Sequence, residues 1–207
     1  MKTHIITKDQ LDSDNNYVGS VTLSDFDGNI EIASNLGTVK FSGPLLATGS
    51  IVALAGTGIE AGEGIKAGED IQAGYDIKAG GDIKAGYGID AGDIKAGWGI
   101  NAGWGINADW GIKAGGGIEA GEGIKAGTGI KAGTGIEAGL GIEAGGGIEA
   151  GEGIKAGYGI KAGTDIEVKL RVFAGLLPWR LPTEAQQTVT CKKFTGTLAF
   201  GKLVLIP

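Results

Sequence analysis

The sequence contains very few of the residues from which catalytic and metal sites are usually built. In 207 residues there are one histidine (His4), one cysteine (Cys191), one methionine and four prolines. General acid–base catalysis uses histidine more often than any other residue, and zinc sites draw on several His and Cys side chains. We therefore expect no enzyme activity, no metal and no cofactor. A lone cysteine cannot form an internal disulfide, which favours a cytoplasmic location.

Long apolar runs are also missing from the chain. No stretch reaches the roughly 18 apolar residues that a transmembrane helix requires, and Met1–Ile5 lacks the apolar core of a signal peptide. We expect no contact with a membrane. Four prolines are too few for a collagen helix. The 42% share of hydrophobic residues argues against a disordered linker.

Glycine is abundant instead, with 43 residues arranged largely in a six-residue repeat. Isoleucine recurs at every sixth position from Ile59 to Ile166, apart from one five-residue step between Ile89 and Ile94. The repeated unit reads Gly-Ile-x-Ala-Gly-x. A period of six does not fit the turn of an α-helix, and two glycines per unit would destabilise one. Ile-x-Ala places isoleucine and alanine on the same side of a short strand.

These features predict an all-β fold, a single-stranded parallel β-helix in the form of a triangular solenoid. Three repeat units per coil give coils of about 18 residues. Isoleucine is expected to stack between coils inside the solenoid, and glycine to turn the corners because it tolerates positive φ. Aspartate also tolerates unusual backbone angles, and it replaces the bend glycine at Asp70, Asp76, Asp82, Asp93 and Asp165.

Two properties of the solenoid are left open by the repeat. A flattened, two-sided form with about 12 residues per coil is the alternative, and it would align Tyr75, Tyr87, Trp98 and Trp110 on one side. The handedness of the coil is the other open property.

The chain divides into three regions. Residues 1–50 are predicted to form an N-terminal β cap, residues 51–172 the β-helix, and residues 173–207 a C-terminal cap or oligomerisation segment. An open β-helix end is a bare sheet edge, so a homodimer through the C-terminal segment is one expectation. The strand-like segments of the N-terminal region are Val21–Leu23, Ile30–Ile32 and Val39–Phe41.

The C-terminal region has three features of its own. It contains the apolar run Leu176-Leu177-Pro178-Trp179, a short helical segment that begins near Thr183, and a final apolar strand at Leu203–Ile206. We expect Cys191 to be a structural thiol. The competing interpretation is a reactive thiol with a pKa lowered by Lys192 and Lys193.

Charge is distributed unevenly along the chain. Residues 1–50 carry a net charge of −3, residues 51–165 carry −7, and residues 166–207 carry +4. The solenoid is therefore predicted to be an acidic rod with a basic end. Duplex DNA as long as six coils, about 30 Å, would carry about 18 charges. The net charge of −7 on residues 51–165 is less than half of that, which argues against mimicry of DNA by the whole surface. We also expect no direct binding of nucleic acid.

The middle of the repeat is the most distinctive stretch. Three tryptophans occupy successive outward corners, and two asparagines stand where charged residues usually occur. Exposed tryptophan beside uncharged polar residues is typical of an interface hot spot. On a three-sided coil the tryptophans would form a belt rather than a patch. The predicted protein-binding residues are Trp98, Asn101, Trp104, Asn107, Asp109, Trp110, Glu119 and Glu122. Tolerated drift of the repeat, with Tyr87 partly covering the tryptophans, is the alternative.

The chain also resembles a known group of proteins. The hexads GI(K/E)AG(W/Y/T/E), the segment Asp25–Ile32 and the segment Trp179–Pro182 resemble small repeat proteins of bacterial prophages and related mobile elements. The resemblance implies a non-catalytic inhibitor of host defence machinery, as anti-CRISPR proteins are, in the cytoplasm of a bacterial host. The Gly-Asp-Ile-x-Ala units are similar to those of bactofilin-type polymerising β-helices.

Together these observations lead to two hypotheses about function. The first is a non-catalytic inhibitor that binds a bacterial protein or ribonucleoprotein complex, namely a nucleic-acid-targeting defence complex, through an acidic surface bearing tryptophan. The second is a structural or adhesive β-helix that assembles through its ends, like a bactofilin or a phage surface protein.

Overall fold

The computed structural model describes residues 1–176 and 181–207 and shows an all-β solenoid. Its parallel coils are about 18 residues long and stack into about 10 turns. Ile89 lies in register with Ile71 of the preceding coil and with Ile106 of the following coil. The predicted coil of three repeat units is confirmed. The two-sided alternative is excluded, because it would place Ile89 in register with Ile77.

The described residues form 27 strands and two 3-10 helices, at Lys8–Gln10 and Ala185–Gln187. In chain order the strands are β1 (Thr3–Ile6), β2 (Asn29–Ile32), β3 (Gly37–Phe41), β4 (Leu45–Ala47), β5 (Ile51–Ala53), β6 (Thr57–Ala61), β7 (Ile65–Ala67), β8 (Ile71–Ala73), β9 (Ile77–Ala79), β10 (Ile83–Ala85), β11 (Ile89–Ala91), β12 (Ile94–Ala96), β13 (Ile100–Ala102), β14 (Ile106–Ala108), β15 (Ile112–Ala114), β16 (Ile118–Ala120), β17 (Ile124–Ala126), β18 (Ile130–Ala132), β19 (Ile136–Ala138), β20 (Ile142–Ala144), β21 (Ile148–Ala150), β22 (Ile154–Ala156), β23 (Ile160–Ala162), β24 (Asp165–Ala174), β25 (Thr188–Cys191), β26 (Lys193–Phe200) and β27 (Lys202–Leu205).

From β2 to β24, every third strand belongs to the same face of the solenoid. Face 1 runs β1-β2-β5-β8-β11-β14-β17-β20-β23-β25-β27. Face 2 runs from β3 through β6, β9, β12, β15, β18 and β21 to the first half of β24. Face 3 runs from β4 through β7, β10, β13, β16, β19 and β22 to the second half of β24. The long strand β24 therefore joins faces 2 and 3 into one sheet of 16 strands.

The core consists of isoleucine ladders along the three faces. Every isoleucine of the repeat from Ile59 to Ile166 is at most 2% exposed. The residue between isoleucine and alanine points outward, as the two-residue period of a strand requires. Burying each isoleucine contributes about 1.5–3 kcal/mol, and the stacking of neighbouring coils accumulates that contribution.

The glycine that follows each alanine is required by the close approach of successive coils. A Cβ added at Gly103 would overlap the carbonyl oxygen of Gly86, and one added at Gly121 would overlap that of Gly103. The expected reason, positive φ at the corners, is wrong. Between residues 57 and 164, all of which are described, neither a glycine nor a bend aspartate has φ in the left-handed region.

The five-residue unit Ile89–Asp93 lacks this glycine. The Gly92 amide donates to the carbonyl oxygen of Tyr75 at 2.7 Å, and the Trp110 amide donates to that of Gly92 at 2.9 Å. Gly92 therefore occupies the outward corner, and the missing residue is the glycine after Ala91. In the next coil Asp109 stands at the corresponding position, above the gap. Because no carbonyl lies below it there, Asp109 can carry a side chain where the other repeat units need glycine.

The N-terminal end of the solenoid is an irregular first coil, in which β1, residues 15–17 and residues 23–28 bond to β2, β3 and the β4 region of the next coil. Leu11, Leu23 and Phe26 are buried against the first coils, and Phe26 forms an isolated parallel bridge with Ala47. The predicted strand at Val21–Leu23 is wrong. Hydrogen bonding to the next coil begins only at Leu23, whose carbonyl oxygen accepts the Leu46 amide at 2.8 Å, so Val21 and Thr22 have no strand partner among the described residues. The segments at Ile30–Ile32 and Val39–Phe41 do lie in strands, β2 and β3.

The C-terminal region adds strands to all three faces. β25 and β27 extend face 1, and β26 pairs with β24 on faces 2 and 3. The final apolar strand is present as β27, and the segment near Thr183 forms the 3-10 helix Ala185–Gln187. Leu177–Trp179 of the predicted apolar run lie outside the described residues. The boundaries at residues 50 and 172 stay predictions.

Candidate protein-binding surface

The outward corner residues of successive coils form three ridges along the solenoid, connected by backbone hydrogen bonds. Ridge A, between faces 1 and 2, consists of Tyr75, Gly92, Trp110, Thr128, Gly146 and Thr164. Ridge B, between faces 2 and 3, consists of Glu63, Gly81, Trp98, Gly116, Thr134 and Glu152. Ridge C, between faces 3 and 1, consists of Glu69, Tyr87, Trp104, Glu122, Leu140 and Tyr158.

The three tryptophans of the repeat lie on three different ridges. Trp98 stands on ridge B, Trp104 on ridge C and Trp110 on ridge A, with 70%, 55% and 64% of their surfaces exposed. They follow one another around a single turn, as the sequence predicts. A flat partner resting on one face therefore meets the two tryptophans at the edges of that face and leaves the third on the opposite ridge.

Trp104 differs from the other two in its packing. Its indole ring stacks on the Tyr87 ring one coil below, with centroids 4.7 Å apart and an interplanar angle of 28°. Trp98 instead lies between Gly81 and Gly116 on ridge B, and Trp110 between Gly92 and Thr128 on ridge A. The ring stack restricts Trp104, so less side-chain entropy is lost when a partner covers it. Tyr87 thus supports one tryptophan and not the whole belt.

A groove along face 1 brings three of the candidate residues together. Trp104 and Glu122 form its wall on ridge C, Asn107 projects from β14, and Lys125 and Glu143 follow on the next strands. The bend residues at the start of the strands also line it: Asp70, Gly88, Gly105, Gly123, Gly141 and Gly159. An aromatic wall beside amide, carboxylate and ammonium groups is suited to recognition by both packing and hydrogen bonding.

The remaining candidates lie outside this groove. Asn101 and Glu119 line a groove on face 3, where the Asn101 amide donates to the Glu119 carboxylate at 3.1 Å. Asp109 precedes Trp110 at ridge A and is exposed. Glu119 and Glu122, which the sequence groups together, therefore belong to two different surfaces.

Two bend aspartates, Asp82 and Asp93, form the same internal ion pair and hydrogen bond, which we call a carboxylate clamp. In each, one carboxylate oxygen accepts the amide of the bend residue one coil above, and the other accepts the ammonium of the lysine two positions later. For Asp82 these donors are Gly99 at 2.7 Å and Lys84 at 2.8 Å; for Asp93 they are Gly111 at 2.7 Å and Lys95 at 2.8 Å.

The clamps change the pKa of the aspartates. The hydrogen bond from Lys84, followed by that from Gly99, holds the pKa of Asp82 below its ordinary value of 3.8. Partial burial opposes the shift at Asp93, but Lys95 and Gly111 outweigh it and its pKa is lowered as well. Turn aspartates were expected from the sequence. Their partners were not: the lysine is a local neighbour two positions later, but the amide donor becomes apparent only when residues one coil apart are placed in register.

A row of lysines on face 2 was also missed by the sequence analysis. Lys78, Lys95, Lys113 and Lys131 lie in register on β9, β12, β15 and β18. The signal was available as lysine in every third repeat unit, but it becomes a row only once the coil has three sides. Lys78 pairs with Glu60, Lys95 with Asp93 and Lys131 with Glu149. Lys113 has no ion pair among the described residues.

Among the described residues, the single cysteine and the single histidine lie in separate parts of the solenoid, in β25 and in β1. Cys191 is fully buried, and burial raises the pKa of its thiol, so the interpretation as a reactive thiol with a lowered pKa is wrong. His4 lies in the N-terminal strand with its Nε2 3.2 Å from the Tyr17 hydroxyl. In the described residues, no helix has the length and apolar character needed to cross a bilayer.

Comparison with known proteins adds no relative to this description. The chain matches no family model, no curated protein and no solved structure. The assignment of the surface therefore depends on the geometry of the ridges, grooves and clamps alone.

Proposed function

We propose that this protein is a non-catalytic inhibitor that works by binding, and that its partner is a bacterial protein or ribonucleoprotein complex, namely a nucleic-acid-targeting defence complex. The binding surface is face 1 with its two edges, ridge C and ridge A. The resemblance of the hexads to prophage repeat proteins supports the partner class. The acidic solenoid with its tryptophan belt supports binding to protein rather than to nucleic acid.

The observation that carries the proposal is the stacked pair Tyr87–Trp104 at the edge of the face 1 groove. Trp104 is exposed over about half its surface, is restricted by the ring below it, and adjoins Asn107 and Glu122 in the groove. Hot spots are enriched in tryptophan and cluster where polar neighbours surround a buried centre. Trp110 stands at the opposite edge of β14, so one flat partner can contact both rings.

The experiment measures inhibition of target-DNA cleavage by a panel of purified CRISPR effector complexes. We expect the wild-type protein to inhibit at least one complex, and Trp104→Ala and Trp110→Ala to weaken that inhibition about tenfold or more. Trp98→Ala is the matched control, since Trp98 is exposed on ridge B, opposite face 1, and should keep full inhibition. A panel without any inhibited complex, or equal effects of all three substitutions, would contradict the proposal.

A self-assembling solenoid is the second candidate, and the exposed strand β27 favours it. Leu203, Val204 and Leu205 are 36%, 37% and 60% exposed, and the outer edge of β27 has no strand partner among the described residues. Sedimentation velocity over a range of concentrations tests this candidate. Growth into long particles that Leu205→Lys abolishes, and that the ridge C control Leu140→Lys does not, supports assembly. A discrete monomer or dimer at every concentration excludes it.

A further inference from the structure

The two carboxylate clamps provide a template for a third position in the same solenoid. Asp82 and Asp93 each place one carboxylate oxygen on a backbone amide one coil above and the other on a lysine ammonium. The clamp therefore needs only a bend residue, a lysine two positions later and the bend amide of the next coil. Charge-assisted hydrogen bonds of this kind are shorter and about twice as strong as neutral ones.

The same donors are present at Gly111, where glycine stands in the place of the aspartate. Lys113 follows two positions later, and Gly129 is the bend residue one coil above, since Ile112 and Ile130 are in register. Gly129 is partly exposed, and its amide donates to no acceptor among the described residues. A Cβ added at Gly111 would lie 3.3 Å from the Thr128 hydroxyl, which can donate, and 3.2 and 3.4 Å from two acceptors, the Asp93 carboxylate oxygen and the Gly129 carbonyl oxygen. The Asp93 oxygen is already engaged by the Gly111 amide at 2.7 Å.

Lys113 is distinguished from the other lysines by its neighbours in the row. It lies between Lys95 and Lys131 in register, and like charges stacked on neighbouring strands repel. Lys125 has an equivalent bend glycine, but Glu143 lies next to it in register. Lys155 and Lys161 pair with Glu137 and Glu143. Lys66 also follows a bend glycine and has Lys84 in register, but Leu46 lies on its other side. Among the lysines that follow a bend glycine, Lys113 is therefore the one with a lysine in register on both sides, and an anion there would relieve that repulsion.

We propose that Lys113 and the Gly129 amide form a binding site for the carboxylate of an aspartate or glutamate side chain on the protein partner. The site lies directly beside Trp110, because Gly111 follows Trp110 in the chain and Thr128 follows it on ridge A. Trp110 favours an apolar group on the partner, and Lys113 with the Gly129 amide favours an acidic side chain next to it. We therefore expect a protein partner that presents both groups at this edge. This assignment of the partner rests on the proposed function.

The test uses acetate as the carboxylate probe and follows backbone amides in a two-dimensional NMR spectrum of the full chain. Sodium chloride at the same ionic strength is the reference. We expect a saturable shift of the Gly129 amide with acetate and none with chloride. Lys113→Gln should weaken the response at least about fivefold, because the charge-assisted partner is lost. Lys125→Gln, which removes an exposed lysine at the equivalent position of face 1, should leave it unchanged.

A second variant tests the site from the opposite direction. Gly111→Asp would fill the clamp with the chain's own carboxylate. Two successive bend aspartates already occur in the solenoid, since the Asp76 carboxylate accepts the amide of Asp93 one coil above at 3.0 Å. The Gly129 amide should then be shifted without acetate and should no longer respond to it. Equal responses to acetate and chloride, or an acetate response that survives both Lys113→Gln and Gly111→Asp, would overturn the proposal. Because acetate binding is measured without the protein partner, this experiment gives a result even if the proposed function is wrong.

Discussion

At the scale of single residues, the two glycines of each repeat unit have different roles. The glycine after alanine passes so close to the coil below that a Cβ would overlap a carbonyl oxygen, as at Gly103. A Cβ at the bend glycine Gly105 would lie 3.4 Å from the carbonyl oxygen of Gly123, which is ordinary contact. The first glycine is therefore demanded by packing, whereas a bend glycine with the space found at Gly105 can be replaced.

This difference predicts opposite outcomes for two neighbouring substitutions. Gly103→Ala should lower the free energy of unfolding by about 1–3 kcal/mol, the usual cost of overpacking. Gly105→Ala should be neutral or stabilising by up to about 1 kcal/mol, because alanine restricts the unfolded chain. Urea unfolding of the two variants beside the wild type measures both values. Equal destabilisation would show that the bend glycine is also held by contact.

A second residue-scale prediction concerns the clamp at Asp82. Its pKa is held below 3.8 in the folded protein, by Lys84 first and by Gly99 second, so the unfolded state binds its proton more readily. The clamp's contribution to stability is therefore present above pH 3.8 and is lost as pH falls through the folded pKa. Asp82→Ala should lower the melting temperature at pH 7, and the difference from wild type should shrink toward pH 3. Glu63→Ala, at an exposed corner on ridge B, serves as control.

At the scale of the repeat unit, the sequence predicts the regular part of the fold, but it does not predict the segments and contacts that depart from the repeat. The isoleucine period predicts strands, three faces and a buried ladder, because burial of a regular apolar position leaves few alternatives. Val21–Leu23 has the same alternating pattern, but only Leu23 bonds to the next coil, through the Leu46 amide, and Val21 and Thr22 have no strand partner among the described residues. The lysine row and the amide donors of the carboxylate clamps involve residues 17 or 18 positions apart, which become neighbours only once the three-sided coil places them in register.

The shortened unit and Asp109 form a pair of changes that compensate each other. Inserting a glycine between Ala91 and Gly92 would restore six residues and bring a carbonyl oxygen beneath the Cβ of Asp109. We expect the insertion to destabilise the wild type and to be tolerated in Asp109→Gly. Urea unfolding of the four proteins in this double-mutant cycle should give a coupling energy of about 0.5–3 kcal/mol. Additive effects would show that the gap below Asp109 is not what admits its side chain.

At the scale of the whole molecule, the solenoid separates stability from recognition. The isoleucine ladders lie inside, and the ridges and grooves outside can change without disturbing them. Because the three tryptophans surround one turn, no partner with a flat surface can use all of them. The acidic coils also contain a row of lysines on face 2, so the charge that a partner meets depends on the face it approaches.

The same architecture predicts how far along the rod a core substitution lowers stability. In a solenoid each coil contacts only its neighbours, so stability is close to a sum of nearest-neighbour terms. Ile112→Ala removes a buried side chain from the ladder on face 2 and should cost about 2–5 kcal/mol. Hydrogen exchange should then lose protection first at Ile94 and Ile130, which are in register with it, while Ile30 near the N-terminal end stays protected. Ile30 losing protection together with Ile94 would mean that the rod opens as a single cooperative unit, and the nearest-neighbour description would fail.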